Sequence, residues 1–473
     1  MTDSQTPSTK PFTINQNLAR RIQEELGQNV YLCYQCVKCT SGCPVVEFFD
    51  WQPNQIMRAL QLGDEEIALH AQTPWLCAAC QTCTTRCPQD LDIAGIMDFL
   101  TREAVKSGIE PAIPQVNNFN QAFLREVRLW GRSYEPGLMA ELALHDPKSL
   151  LGDIKLYMSM LKKGKVGFFP AITRHPRKVK TVPATNHTVA YYPGCSLHSS
   201  ATEFDHSTQA VCEALGLHLV EPEGWRCCGA SAAHKSSPHD ALRLPMENLA
   251  LSVQSVLTEV SMSCGACFNR HKAAQFEIRH HPDRKTALDE EIGYTYQDQV
   301  TVTTMVESLL KHIGTEKIAK SVKKPLKGLN VVCYYGCLLT RPPQVTQSTH
   351  PDNPTDMDEL VRALGANVHD WSYKTCCCGA AHSLTRPDIV IRLSSNLINN
   401  ARAAGAEAIV VSCPLCHMNL DARQMQMEVS DPMPILYFSQ LMALAFNLPP
   451  RAIALNKNLV DPVPLLRNKG YLA

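Results

Sequence analysis

The chain has 473 residues, enough for two or three domains with buried cores. Lys plus Arg and Asp plus Glu are both 45, a net charge of zero, which argues against a nucleic-acid footprint or a polybasic membrane patch. Its 21 cysteines cannot be the staples of a mini-scaffold in a chain this long, and in a reducing compartment they mean metal ligation or redox chemistry.

The opening stretch MTDSQTPSTKPFTINQ is polar, with no apolar segment typical of a secretory signal. No run of roughly 18 apolar residues occurs anywhere, so the expectation is a soluble, cytoplasmic protein without a spanning helix. TINQNLARRIQEELGQN reads as a helix with a Thr13-x-x-Gln16 capping box and a stop at Gly27. CYQCVKCTSGCP then supplies Cys33, Cys36, Cys39, Cys43 and Pro44, and CAACQTCTTRCP supplies Cys77, Cys80, Cys83, Cys87 and Pro88. Both read C-x2-C-x2-C-x3-C-P, the run of two-cluster ferredoxins. Three closely spaced thiolates take three corners of one 4Fe-4S cube, and the fourth reaches the other cube. Cys33, Cys36, Cys39 and Cys87 are therefore assigned to one cubane cluster, and Cys77, Cys80, Cys83 and Cys43 to the other. Zinc also uses C-x2-C pairs, but two complete four-cysteine runs ending in Cys-Pro favour the clusters. PNQIMRALQLGDEEIALHA bridges the runs as helical pieces. The expected first domain is a helical ferredoxin-like unit over residues 1–108.

Residues 109–188 hold no cysteine and read as a helical connector. VNNFNQAFLREVRLWGR and SLLGDIKLYMSMLKKGK have amphipathic helical periods. FFPAITRHPRKVKTVPATNH is Pro-rich and basic, a linker whose charge reads as a solvated face. No chemistry is assigned to this stretch.

The remainder is one unit written twice. VAYYPGCSLHSS matches VVCYYGCLLTRP, CEALGLHLVEPEGWRCCGA matches VRALGANVHDWSYKTCCCGA, and VSMSCGACFNRH matches VVSCPLCHMNLD. Each copy reads as a strand ending at Gly-Cys, a helix stopping at Leu-Gly, a strand leading to paired cysteines, a long helix, and an apolar strand ending in C-x-x-C at a helix start. That alternation predicts two α/β lobes, 189–325 and 326–473, related by a pseudo-twofold with a cleft between them and ligands at the strand ends. The second copy carries a longer insert, LLTRPPQVTQSTHPDNPTD, expected as a loop forming a wall of the active site. Adjacent cysteines suit a structural disulfide badly, because its usual Cα separation of roughly 4.4–6.8 Å would have to close within two residues. The first copy reads Cys195-x31-Cys227-Cys228-x35-Cys264-x2-Cys267, and the second Cys337-x39-Cys377-Cys378-x34-Cys413-x2-Cys416. Five thiolates exceed what a cube needs and point to an iron–sulfur cluster of another form. Gly229 and Gly379, after the pairs, allow close backbone approach. Cys376 leaves a second option, since the pair Cys376-Cys377 also fits the spacing; superposition of CCGA on CCGA favours Cys377-Cys378.

These motifs resemble the heterodisulfide reductase family. Residues 31–108 look like its ferredoxin-like small subunit and residues 189–425 like its Cys-Cys-Gly catalytic subunit, and the fusion resembles the larger subunit of the membrane-associated form. The resemblance implies a non-cubane 4Fe-4S cluster in each lobe, the two facing one another to cleave a disulfide; in the family this is the disulfide of coenzyme M and coenzyme B. The implied function is reduction of a disulfide, or the reverse thiol oxidation, with electrons entering through two cubane clusters. The other reading is an electron-transfer subunit between a flavoprotein or dehydrogenase and a membrane quinone module. No Gly-rich dinucleotide fingerprint appears, so flavin is placed on a partner, either a flavin-containing electron-input subunit or a membrane cytochrome b or quinone module. Such a partner would hold the chain at the inner face of the membrane. CPLCH has the form of a haem attachment site, but the repeat has CGACF there, so haem is not expected. His234 and His382 follow the cysteine pairs and are candidates for protonating a departing thiolate, or for a structural hydrogen bond. Lys235 is a weaker candidate, and Cys212, Cys333 and Cys376 outside the ligand sets read as buried small hydrophobes.

Overall fold

The computed structural model describes residues 17–167, 169–173, 181, 187–427 and 431–472. The Thr13–Gln16 capping box and most of the basic linker lie outside the described residues. Contacts divide the chain into one unit of Met1–Cys77 with Thr82–Ile113, and a second of Ala78–Gln81 with Pro114–Ala473.

The first unit is helical. Its first helix, Asn17–Leu26, buries Leu18, Ala19 and Ile22 and stops at Gly27, whose φ of 67° only glycine adopts without strain. Helix Ile93–Lys106 starts where the Asp92 carboxylate accepts the Gly95 N–H at 2.9 Å. Ile93, Ile96, Met97, Phe99 and Leu100 on that helix are buried.

The second unit contains two parallel sheets of identical topology. The first has β1 (Thr188–Tyr192), β2 (His218–Val220), β3 (Glu259–Met262) and β4 (Thr301–Thr304) in the order β2-β1-β3-β4. The second has β5 (Asn330–Tyr334), β6 (Asn367–Val368), β7 (Ala408–Val411) and β8 (Ile435–Tyr437) in the order β6-β5-β7-β8. The α/β expectation holds, with ferredoxin-like helices preceding paired parallel-sheet lobes. The closing strands β4 and β8 were not anticipated, because TVTT and ILY are too short to show a period. In both sheets the chain reverses its direction of travel between the first and third strands, β1|β3 and β5|β7. Ligands of open parallel sheets bind at that reversal, beyond the carboxyl ends of the strands.

One buried core runs through both lobes. Helix Thr202–Leu215 of the first lobe packs on Phe438–Ala445 of the second, and Met305–His312 packs on Asp356–Ala363 in the reciprocal way. Phe204 stacks on Tyr437 with ring centroids 4.1 Å apart, and Ser207 Oγ meets Ser439 Oγ at 2.7 Å. The helices of 114–162 pack into this unit. Val127 lies against Cys227 and Leu244, and Asp153 accepts from Arg423 at 2.7 Å. Lys165, with no exposed side-chain surface, donates to the Ser200 carbonyl at 2.9 Å and pairs with the equally buried Glu203.

Breaking one side of a buried pair strands the other charge. Lys165→Met is therefore expected to cost about 3–5 kcal/mol, and adding Glu203→Leu to recover most of it. Urea unfolding of the two variants beside the parent checks this.

Candidate functional site

The cysteine-bearing loops leave the strands in matching register. Tyr192 pairs with Met262 in the first sheet and Tyr334 with Val411 in the second. Cys195 and Cys264 therefore emerge side by side beyond β1 and β3, as Cys337 and Cys413 do beyond β5 and β7. Cys227-Cys228 and Cys377-Cys378 arrive on the loops after β2 and β6. The sulfur contacts repeat. Cys228 Sγ lies 3.4 Å from Cys267 Sγ, and Cys378 Sγ lies 3.6 Å from Cys416 Sγ. Cys195 neighbours Cys227 and pushes its thiol up, and Cys337 does the same to Cys377. Within each C-x-x-C, Cys264 neighbours Cys267 and Cys413 neighbours Cys416.

The backbone beside the sulfurs is tightly specified. Gly194 and Gly336, each preceding the first cysteine of a lobe, have φ of 78° and 73°. A methyl group there would lie 3.1 Å from Cys267 Sγ and 2.9 Å from Cys416 Sγ. Gly229 and Gly379 are also left-handed, at 80° and 79°. The Tyr192 hydroxyl donates to the carbonyl of Arg226 at 2.7 Å, and the Tyr334 hydroxyl to that of Cys376 at 2.6 Å. Cys376 thus stands where Arg226 stands, and Cys377-Cys378 occupy the places of Cys227-Cys228. Cys212 and Cys333 lie in the core, where burial pushes the Cys212 thiol up to about 12.

The two sets approach one another. Cys264 and Cys413 each hold the N-cap position of a helix, and Cys413 Sγ lies 3.8 Å from where a methyl at Gly265 would stand. Hydrogen bonds from Cys264 and Cys416 hold Cys413 well below the ordinary thiol range. Bonds from Cys227 and Cys267 do the same for Cys228. Amide donors add to this: Ala230 N–H reaches Cys228 Sγ at 3.4 Å, Gly379 N–H reaches Cys377 Sγ at 3.3 Å, and Asn419 Nδ2 reaches Cys378 Sγ at 3.6 Å. Negative sulfur is stabilised by such donors and by helix N-termini.

A cleft of about 130 Å³ opens beside this junction, lined by Thr304 and Glu307 of the first lobe and Leu339, Thr340, Asp356 and Ser412 of the second. Ser412 adjoins Cys413, and a methyl at Gly265 would lie 3.3 Å from Leu339 Cγ and 3.8 Å from Cys413 Sγ. The insert after Cys337 forms one wall.

In the cubane runs the same turns recur. Gln35 and Val37 have φ of 60° and 66°, and Ala79 and Gln81, at the corresponding positions, have 49° and 61°. Left-handed non-glycine residues are strained, and their repetition between cysteines marks loops shaped for a purpose. Among the described residues no three His, Cys, Asp or Glu side chains converge on one ion-sized point. The sulfurs lie instead in pairs and chains, and thiolates that each hold a different iron are the donor set of iron–sulfur clusters.

His382 is buried, with Nδ1 3.5 Å from Thr385 Oγ1, and His234 is half-buried in helix Ala230–Ser236. The histidine that the sequence patterns did not single out is His271. Its Nδ1 meets the Cys267 carbonyl at 2.8 Å, and its other nitrogen lies 3.3 Å from Asn248 Nδ2. Asn248 in turn accepts from Arg226 N–H at 2.8 Å and donates to Arg226 O at 3.0 Å, clamping the approach to Cys227. Its signal was the i, i+4 spacing from Cys267 on one helix face. His417 stacks on Tyr437 at 4.2 Å, with Nε2 3.1 Å from the Ile435 carbonyl.

Residues 189–270 and 331–421 match the cysteine-rich domain family CCG, and residues 32–92 match the 4Fe-4S dicluster domain. The chain is 34% identical over 281 residues to the 8-methylmenaquinol:fumarate reductase membrane anchor subunit of Wolinella succinogenes, covering 58% of this chain and 98% of that one. It is 27% identical over 288 residues to one of the subunits of a CoB-CoM heterodisulfide reductase of Methanosarcina acetivorans, covering 59% and 95%. A different subunit, from the CoB-CoM heterodisulfide,ferredoxin reductase of Methanothermobacter marburgensis, is 29% identical over 107 residues, covering 22% of this chain and 58% of its own length. A hypothetical protein from Helicobacter pylori shares the fold at a TM-score of 0.50 and 12% identity, over 68% of this chain and 60% of that one. The chain belongs to the heterodisulfide reductase family of iron–sulfur oxidoreductases, joining in one polypeptide a dicluster region like the Methanothermobacter relative and cysteine-rich lobes like the Methanosarcina relative.

Proposed function

We propose that the chain reduces a disulfide, or runs the reverse thiol oxidation, at two facing non-cubane 4Fe-4S clusters supplied through two cubane clusters. Cys195, Cys227, Cys228, Cys264 and Cys267 would hold one non-cubane cluster, and Cys337, Cys377, Cys378, Cys413 and Cys416 the other. Cys33, Cys36, Cys39 and Cys87, and Cys77, Cys80, Cys83 and Cys43, would hold the cubanes. The observation that supports the reading is the approach of Cys413 to Gly265, the neighbour of Cys264, which brings the two cysteine sets together at the lobe junction.

When bound, such clusters supply single electrons and iron that accepts sulfur as a Lewis acid. The chain's own residues do the rest. Gly194 and Gly336 let the backbone pass close under the sulfurs. Tyr192 and Tyr334 fix the loops that carry the cysteine pairs. The cleft beside Ser412 and Cys413 would admit the substrate. A disulfide accepting two electrons also takes up two protons, and His234 and His382 are assigned to that supply. The flavin-bearing or quinone-linked electron donor, and attachment at the inner membrane face, are placed on partner subunits.

One observation favours a second reading. The relative covered over 98% of its length is named a membrane anchor subunit. No described helix here is long and apolar enough to cross a membrane. On that reading the chain relays electrons between a flavoprotein or dehydrogenase and a quinone module.

With reduced viologen and a panel of disulfides, the iron-loaded chain is expected to turn over at least one, and Cys413→Ser to abolish that turnover. Full iron loading without reduction of any disulfide would leave the relay. Gly336→Ala is expected to remove about one cluster's worth of iron per chain, four atoms, by forcing its methyl against Cys416; iron and sulfide analysis reads this without any activity assay.

A further inference from the structure

The connector, to which the sequence assigned no chemistry, turns three consecutive residues onto one edge of the first lobe's sulfurs. Helix Pro114–Trp130 ends at Gly131, whose carbonyl accepts the Cys227 N–H at 2.9 Å. Ser133 gives its backbone N–H and its hydroxyl to Cys195. Between them Arg132 lies over the indole of Trp225, its guanidinium carbon 3.5 Å from the ring centroid. Its Nε points at the Trp225 carbonyl at 3.4 Å and its Nη1 lies 3.2 Å from His198 Nδ1. The side chain is 13% exposed. Trp225 is itself fixed against Tyr192, with ring centroids 4.8 Å apart, so the guanidinium rests on a rigid platform. A carboxylate, Glu221, stands 3.7 Å from Nη2 and is shared with His198 at 3.3 Å. Burial lowers the basicity of Arg132, and Cys195 is the strongest charge opposing that effect. A guanidinium remains protonated throughout the working range of pH.

The second lobe also holds a buried cation, with its charge committed to a carboxylate. Arg341 is buried, but it donates to the Thr375 carbonyl at 3.0 Å and hydroxyl at 2.8 Å and pairs with Asp352 at 2.5 Å.

We propose that Arg132 sets the potential of the first lobe: its fixed positive charge beside Cys195 and Cys227 raises the reduction potential of the centre they hold above that of the second lobe. This rests on the reading that each lobe binds a redox-active iron–sulfur cluster. The physical cause is simple. An electron adds negative charge, and a neighbouring cation in a poorly solvated pocket stabilises the reduced form. The consequence is an order of filling in which the first electron to reach the paired lobes settles in the first. Arg132 touches no reacting atom in this scheme and acts only through the cysteines.

The test is a potentiometric titration of the full iron-loaded chain followed by paramagnetic resonance. Arg132→Met is expected to shift the oxidised-to-reduced ratio of one lobe's centre at least tenfold toward oxidised, about 59 mV downward for a one-electron couple. The other lobe's centre should not move. Arg132→Lys, which keeps the charge, should restore most of the shift. Glu221→Gln, which removes the compensating charge and leaves Arg132 on its platform, should move the same centre upward. An unchanged midpoint in Arg132→Met with iron content intact would overturn the proposal, as would Arg132→Lys shifting as far as Arg132→Met. If Arg132→Met loses iron, Glu221→Gln decides, and no upward movement there overturns it. Absence of iron–sulfur signals from the lobes of the parent protein defeats the underlying functional reading, and the proposal with it.

Discussion

The contact between Cys264 and Cys413 is the constraint on which the second unit is built. Each cysteine lies between the end of a parallel strand and the start of a helix, so bringing them together fixes the orientation of both sheets. Two such polar ends do not associate unaided. The Phe204–Tyr437 stack, the Ser207–Ser439 bond and the shared apolar core supply the adhesion, and the sulfurs are carried along. Burial of apolar area here stabilises a contact whose chemical content is polar.

Duplication explains the economy of the arrangement. One topology places three cysteine-bearing loops at one end of a sheet, and using it twice yields opposed sites with no new fold. The copies are not equivalent. The second owns the insert that walls the cleft beside Ser412, and the first owns the connector residues that close on Cys195 and Cys227. One side of the junction carries a cleft, while a cation is fixed near the cysteines of the first lobe.

Much of this was legible in the residues alone. Cysteine spacing identified the ligand candidates, because a thiolate that must reach a particular iron tolerates little change in the chain between ligands. The repeat revealed two lobes, and the alternation of strand and helix revealed their class. Turn glycines such as Gly194 were visible as letters, but not the sulfur 3.1 Å from where a side chain would begin. The choice between Cys376 and Cys378 was ambiguous by counting; the bond from Tyr334 to the Cys376 carbonyl, matching that from Tyr192 to the Arg226 carbonyl, favours Cys377-Cys378.

What the sequence determined by itself was therefore local: which residues are of cluster-binding type, at what spacing, and in how many copies. The tertiary structure decided which of them meet. That His271 clamps the approach to Cys227 through Asn248, that Cys264 finds Cys413 149 positions away, and that Arg132 lies on Trp225 are all non-local facts. Periodicity and spacing report on a chain's near neighbours. Contacts across lobes depend on the packing of whole elements, and that packing has no signature in any short stretch of residues.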